Sequence, residues 1–186
     1  MTTQVTSLTC RCGQVALDVQ GEPIISAECL CTDCQAGGAV LQALPDAPDI
    51  LDENGATRFV LYRKDRVLCT RGQNQLREYR LSQNAPTRRV VAICCNSPVF
   101  LEFSHGHWLS VYGTFWSPAD LPPLQIRTMT RSRPEGVELP SDVPNPNTHT
   151  LTFYRKLFGA WAAMGFRTPK IDYVAGPLEI SNAGVR

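Results

Sequence analysis

The chain has 186 residues, 43% of them hydrophobic, enough to bury a core of its own as one domain without a metal or disulfide having to replace it. Eighteen basic against seventeen acidic residues, spread along the chain, give no charge footprint for nucleic acid or an anionic membrane, so small molecules or proteins are the expected partners. The most apolar run, LFGAWAAMGF, is too short to cross a bilayer and the start, MTTQVTSLTCRCG, lacks the apolar stretch of a signal peptide. A cytoplasmic protein with reduced thiols is expected.

From the N-terminus, the first element legible by periodicity follows CRCG. Val15, Leu17 and Val19 alternate with Ala16 and Asp18 before Gly21-Glu22-Pro23, which reads as a half-buried strand ending in a turn, with CRCG at its start. Further β-like runs cover residues 58–62, 66–70, 75–81, 88–94, 99–103 and 109–115, with Gly72-Gln73-Asn74 and residues 104–107 as turns. Helices are expected to be scarce in this part. Short, closely spaced strands predict a mainly β fold of antiparallel strands with metal knuckles in the connections.

The C-terminal third differs. Pro134, Pro140, Pro144 and Pro146 punctuate a polar stretch, residues 131–149, that reads as a linker wrapping the surface. Phe153, Leu157, Ala160, Trp161 and Met164 then recur at helical spacing, with Thr150 or Thr152 as N-cap and Gly165 as stop. This predicts a zinc-binding β domain over residues 1–127, with residues 128–186 a Pro-rich linker and a C-terminal helix. The apolar stripe of that helix is expected to pack on the same domain, and a homodimer in which it meets a second subunit stays open.

The cysteines carry the chemistry. Cys29, Cys31 and Cys34 stand within the six residues CLCTDC, after Cys10 and Cys12 of CRCG and before the Cys94-Cys95 pair. Soft thiolates grouped at such spacing favour zinc. Cys10 and Cys12 offer two ligands where a closed structural site takes four, and Cys94 and Cys95 are the available second pair. Adjacent residues on a regular strand point to opposite faces, so this site needs a backbone bend, which Asn96-Ser97-Pro98 could supply. Cys94 as a mere buried apolar residue is the alternative.

CLCTDC supplies three thiolates without an evident fourth, which leaves a coordination position for water or substrate. Three thiolates make zinc a weak acid toward water, and a substrate thiol suits such a site better. Closure by Asp33, Glu28 or a remote histidine would make it a second structural zinc, and a redox CxxC at Cys31 and Cys34 is a further reading, although it usually comes with a thioredoxin-like α/β pattern. His105 and His107 read as a polar turn, Cys69 as a core residue, and Arg71, Arg88 or Arg89 as cations able to pair with a substrate carboxylate.

The order CRCG, then CLCTDC about twenty residues on, then a strand running RRVVAICCNSPVF, resembles the glutathione-dependent formaldehyde-activating enzyme family, whose relatives include centromere protein V, over roughly residues 8–116. The doubled cysteine and the C-terminal extension resemble a divergent bacterial branch of it. The resemblance implies a β-tent fold with one structural and one catalytic zinc. It carries the structural site onto Cys10, Cys12 and Cys95, the catalytic site onto Cys29, Cys31 and Cys34, and the activity of forming S-hydroxymethylglutathione from glutathione and formaldehyde. Ala92 stands where the family's later CxxCG motif has its first cysteine and Asn96 where it has glycine, so Cys94 would have to substitute. The expected function is therefore a zinc-dependent carbon-sulfur lyase, or its reverse, handling a small-molecule thiol with glutathione as first candidate. The competing expectation is a non-catalytic zinc module that binds another protein.

Overall fold

The structure, a computed structural model, describes residues 4–180. Residues 181–186 of the C-terminal segment, like residues 1–3, lie outside the described residues. The strands, in chain order, begin with β1 (Val5–Thr9), β2 (Ala16–Gln20) and β3 (Ile25–Cys29), followed by helix α1 (Thr32–Gln42). Then come β4 (Thr57–Arg63), β5 (Val67–Arg71), β6 (Leu76–Tyr79), β7 (Thr87–Ala92), β8 (Ser97–Phe103), β9 (Trp108–Tyr112), β10 (Ile126–Thr128) and helix α2 (Leu151–Ala163). The expected mainly β architecture with a C-terminal helix is the one observed. It is built from a three-stranded sheet, β1-β2-β5, and a seven-stranded sheet, β10-β3-β4-β9-β8-β7-β6. All pairings are antiparallel except β10 with β3, which is parallel.

The central strands of the large sheet are buried on both faces over most of their length, which explains why β4 and β8 hold the near-continuous apolar runs FVLY and VFL. In β4, Val60 and Tyr62 face the small sheet and pack with Leu8, Val15, Leu17 and Val19. Phe59 and Leu61 point the other way, where Leu41 of α1 and Phe153 and Leu157 of α2 cover them. β7 follows the same alternation: Val90 and Ala92 belong to the core between the sheets, while Val91 lies on the helix side.

Three strands and one helix depart from expectation. β1 precedes CRCG, which is therefore a hairpin turn and not a bare strand start. β3 and β10 are too short or too irregular in alternation to show a period of two. α1 contradicts the expected scarcity of helices in the first part. Its sequence, TDCQAGGAVLQ, holds two glycines, each costing about 1 kcal/mol of helix propensity. Packing repays that cost: a Cβ at Gly37 would collide with the guanidinium of Arg89, and one at Gly38 with Leu51. Gly37→Ala is expected to lower stability by about 1–3 kcal/mol, as overpacking does, in place of the small gain alanine brings to an exposed helix; urea denaturation measures it.

The linker runs without regular structure apart from a short 3-10 turn, Thr130–Ser132. It is tied back to β10 through Arg127, whose backbone N–H donates to the Pro144 carbonyl at 3.0 Å and whose Nη1 reaches Asp142 at 2.6 Å. α2 starts at the expected Thr150, whose hydroxyl accepts from the Phe153 N–H at 3.1 Å, and the chain turns away after it at Gly165 with φ +63°. Beyond α2, the Ala175 N–H donates to the Leu76 carbonyl and the Leu178 N–H to that of Glu78, so the tail covers the free edge of β6.

His107, read from sequence as part of a polar turn, is instead buried, 7% exposed. Its Nε2–H donates to the Leu157 carbonyl at 2.8 Å and its ring stacks on Trp161, pinning α2 to the sheet. Burial pushes its pKa below the ordinary histidine value, with Lys64 and Arg63 acting in the same direction and the Leu157 carbonyl against it. The ring is thus neutral in the fold. Its contribution to stability is complete above ~6.5, the unfolded value, and is lost as the pH falls from there through the lowered folded value. Hydrogen exchange of the α2 amides, corrected for intrinsic rates, is expected to show more opening at pH 5 than at pH 7.5, and His107→Gln to reduce that difference.

Candidate metal centres

The first sulfur cluster forms where the hairpin of the small sheet meets a turn of the large one. Cys10 and Cys12 sit in the β1–β2 turn, closed by the Cys10 N–H on the Val15 carbonyl at 3.0 Å and the Gly13 N–H on the Cys10 carbonyl at 2.8 Å. β7 ends at Ala92, two residues sooner than expected, so Cys94 and Cys95 lie in the turn that leads into β8. Asn96, at φ +50°, takes the left-handed conformation that closes this turn, a conformation asparagine tolerates better than most residues. The bend frees two adjacent side chains to face one point.

The four sulfurs lie within 4.8 Å of one another. Cys10 Sγ is 3.6 Å from Cys12 Sγ and 3.8 Å from Cys94 Sγ, and Cys94 Sγ is 3.9 Å from Cys95 Sγ. Four bonds of ~2.3 Å directed tetrahedrally put sulfurs ~3.8 Å apart, so the donor set fits zinc. All eight cysteines are free thiols. Burial raises the Cys10 and Cys94 thiols, whereas Cys95, against the cost of burial, is drawn down to about 6 by the Ser97 hydroxyl and the Cys12 N–H. Ala92 is fully buried in the core between the sheets.

The second cluster is assembled by a strand running into a helix. Cys29 is the last residue of β3, paired with Thr57 of β4 on one side and Thr128 of β10 on the other. Cys31, with extended φ −65° and ψ 153°, is the N-cap of α1, and its sulfur accepts from the Cys34 N–H at 3.4 Å. Cys34 lies in the first turn. Gln35 clamps this corner, donating to the Leu30 carbonyl at 2.6 Å and the Ser132 carbonyl at 2.7 Å. The CxxC therefore does begin a helix, but in a mostly antiparallel sheet and with Cys29 as a third sulfur beside it.

The three sulfurs again lie within 4.8 Å of one another, and among the described residues no fourth Cys, His, Asp or Glu joins them. Contacts from Cys29 and Cys34, aided by the Cys34 and Asp33 N–H groups at the helix N-terminus, hold the Cys31 thiol far below its ordinary range. The same sharing raises Cys29 to about 11 through Cys31, and raises Cys34 through Cys29 and Cys31. One thiolate is thus preferred among three sulfurs, and ligation of zinc by all three would release the remaining protons.

These sulfurs line a cavity of about 380 Å³ between the large sheet and the start of α2. Phe59, Leu61, Leu101, Trp108, Phe153 and Leu157 supply its apolar walls. His149 stands at the same cavity, its ring 4.5 Å from that of Phe153 and edge-on to it. Burial lowers the His149 pKa and the charge of Cys31 works against that shift.

Arg89 also borders the cavity and is 1% exposed. Its Nη2 donates to the Asp33 carbonyl, its Nη1 has no hydrogen-bond partner, and no carboxylate among the described residues forms a salt bridge with it. The other two arginines weighed from sequence lie elsewhere: Arg71 is exposed, bonded to the Gly13 carbonyl, and Arg88 is held by Glu78 and Glu102. His149, Trp108 and Phe153 escaped the sequence reading as site residues. The only available signal was that Phe153 sits on the buried stripe of the helix.

The family model described as "Glutathione-dependent formaldehyde-activating enzyme" matches residues 5–45. No curated protein matches the chain. A crystal structure of a Rhodobacter sphaeroides protein aligns with a TM-score of 0.46 at 16% identity, covering 76% of this chain and 100% of that one. Over the segment that carries Cys10, Cys12, Cys29, Cys31 and Cys34, the chain is thus similar to the glutathione-dependent formaldehyde-activating enzyme family.

Proposed function

We propose that this protein is a zinc-dependent carbon-sulfur lyase-like catalyst that makes or breaks a thiol-aldehyde adduct, S-hydroxymethylglutathione being the adduct that the family similarity suggests. One observation carries the reading: three convergent sulfurs, with no fourth Cys, His, Asp or Glu beside them among the described residues, line a cavity of small-molecule size. Zinc held by Cys29, Cys31 and Cys34 would favour the deprotonated form of an arriving thiol. The cavity walls then confine the thiol beside the carbonyl carbon and exclude water. In the forward direction the sulfur pair forms the S–C bond, the carbonyl π pair moves onto oxygen, and the proton lost by the thiol is returned to that oxygen. Nothing is oxidised or reduced, and the reverse step restores thiol and aldehyde. The Cys10, Cys12, Cys94 and Cys95 cluster would hold a closed, structural zinc. Eight free thiols suit a reducing cytoplasm.

A second reading is favoured by a different observation. Leu151, Tyr154, Phe158 and Phe166 are all more than half exposed on and just after α2, as befits a zinc module that binds another protein. X-ray absorption at the zinc edge separates the two. The enzyme reading expects one site to gain a sulfur neighbour when a small thiol (glutathione, 2-mercaptoethanol or benzyl mercaptan) is added, whereas zinc environments that are both complete and unchanged by all three would defeat it in favour of the binding module.

A further inference from the structure

The walls of the trithiol cavity are those of an unfinished core. Residues 59 and 61 of β4, 101 and 103 of β8, and 108 of β9 put their side chains on the helix side of the sheet, where α1 and α2 cover only part of it. Phe103 and Trp108 stack with centroids 6.4 Å apart at the rim, Phe103 remaining 41% exposed and Trp108 partly so. Phe59, Leu61, Phe153 and Leu157 are already buried in the core on this side of the sheet, whereas Leu101, Phe103 and Trp108 keep apolar surface that an apolar occupant of the cavity would take out of water.

Asp33, Thr87, Ser110, Thr128 and His149 also line the cavity, but most of the lining surface is apolar. Among the described residues Arg89 is the one arginine or lysine there, and one of its nitrogens is already committed to the Asp33 carbonyl. Glutathione would bring two carboxylates, an ammonium group and two amides, each to be stripped of water, into about 380 Å³. That volume is at the lower end for ligand cavities, which run roughly 300–1,000 Å³.

We infer that the thiol handled at this site is a compact apolar one, aryl or branched alkyl, whose carbon body fills the space between Phe59, Leu101, Trp108 and Phe153 while its sulfur reaches Cys29, Cys31 and Cys34. The inference rests on the thiol-aldehyde reading above and names its substrate class. The adduct is then a hemithioacetal of an apolar thiol, formed with the same balance of bonds and protons.

Calorimetric titration of the zinc-loaded full-length protein, under reducing conditions, tests it with four probes: benzyl mercaptan, 2-mercaptoethanol, glutathione and benzyl alcohol. Benzyl mercaptan is expected to bind at least tenfold tighter than either of the other thiols, and tighter than benzyl alcohol. Leu101→Glu, at a partly buried wall position, should bring the affinity ratio of benzyl mercaptan to 2-mercaptoethanol down to about one, and an advantage that survives in the folded variant overturns the apolar wall as its source. Glutathione binding as tightly as benzyl mercaptan, or tighter, overturns the apolar substrate class and leaves the thiol reading intact. Equal binding of benzyl mercaptan and benzyl alcohol does the opposite: the cavity is apolar, but the sulfurs do not recognise a thiol. Because the comparison among probes is made first on the unaltered protein, it stands even if the variant does not fold.

Discussion

Cys31→Ser is expected to bring the zinc content down from two ions per chain to one and to abolish thiol binding, with the fold retained. Two sulfur clusters set the starting stoichiometry, and Cys31 belongs to only one of them. It is also the sulfur held most firmly as thiolate, by its neighbours and by the N–H groups at the start of α1. A serine hydroxyl is a hard, neutral ligand where the site relies on soft, charged ones, so affinity for zinc at that cluster collapses. The helix does not follow, because Cys31 is the N-cap of α1 and serine is among the best residues for that position. The change of cap should therefore alter the stability of the metal-free protein by no more than about 1 kcal/mol, so the comparison is made with chelator present. Metal analysis of the purified variant, with calorimetric titration of the thiol, checks both parts. Two zincs retained in the variant would show that the cluster does not hold its ion through Cys31.

Serine at Cys10, Cys94 or Cys95 should have the opposite profile, a large loss of stability before any loss of a specific function. These sulfurs join the β1–β2 turn of the small sheet to the β7–β8 turn of the large one, positions more than eighty residues apart in the chain. The apolar layer between the sheets lies directly beneath this junction, with Cys94 and Cys95 packed against it. Binding energy at a closed zinc site is folding energy, since the unfolded chain has no such site. Removing one ligand is expected to cost on the order of 4 kcal/mol or more. For a chain of this size that is a fall of ~8–16 °C in Tm, readable by calorimetry, and a chelator should have a similar effect on the unaltered protein. Cys94 is the informative position. If Cys94→Ser keeps both zincs and the original Tm while Cys95→Ser loses one zinc, Cys94 is a packed side chain and not the ligand that takes the place of the residue at Ala92.

β4, β7, β8 and β9 of the large sheet were legible because both their faces are largely buried and most of their residues are β-branched, aromatic or long aliphatic. The runs at 58–62 and 99–103 lie inside β4 and β8. α1 was not legible, since neither propensity nor periodicity marks TDCQAGGAVLQ as a helix. Its glycines are there for close approach to Arg89 and Leu51, which is a property of the partner surfaces. Arg89 shows the same limit from the other side. Adjacent arginines on a strand must point to opposite faces, but only the assembled sheet shows that Arg88 meets Glu78 and Glu102 while Arg89 goes beneath a helix.

The identity of the chemistry was local: seven cysteines in three short groups, with thiolate softness and ligand spacing pointing to zinc whatever the fold around them. What those cysteines can reach was only partly local. The bend at Asn96 was legible in Asn96-Ser97-Pro98, but the approach of Cys94 and Cys95 to Cys10, and the apolar cavity between the sheet and α2, arise from contacts between segments far apart in the chain. Ligand type depends on side-chain chemistry, which a sequence states directly. Cavity shape and the fourth coordination position depend on packing across the sheet, which exists only once the chain has folded.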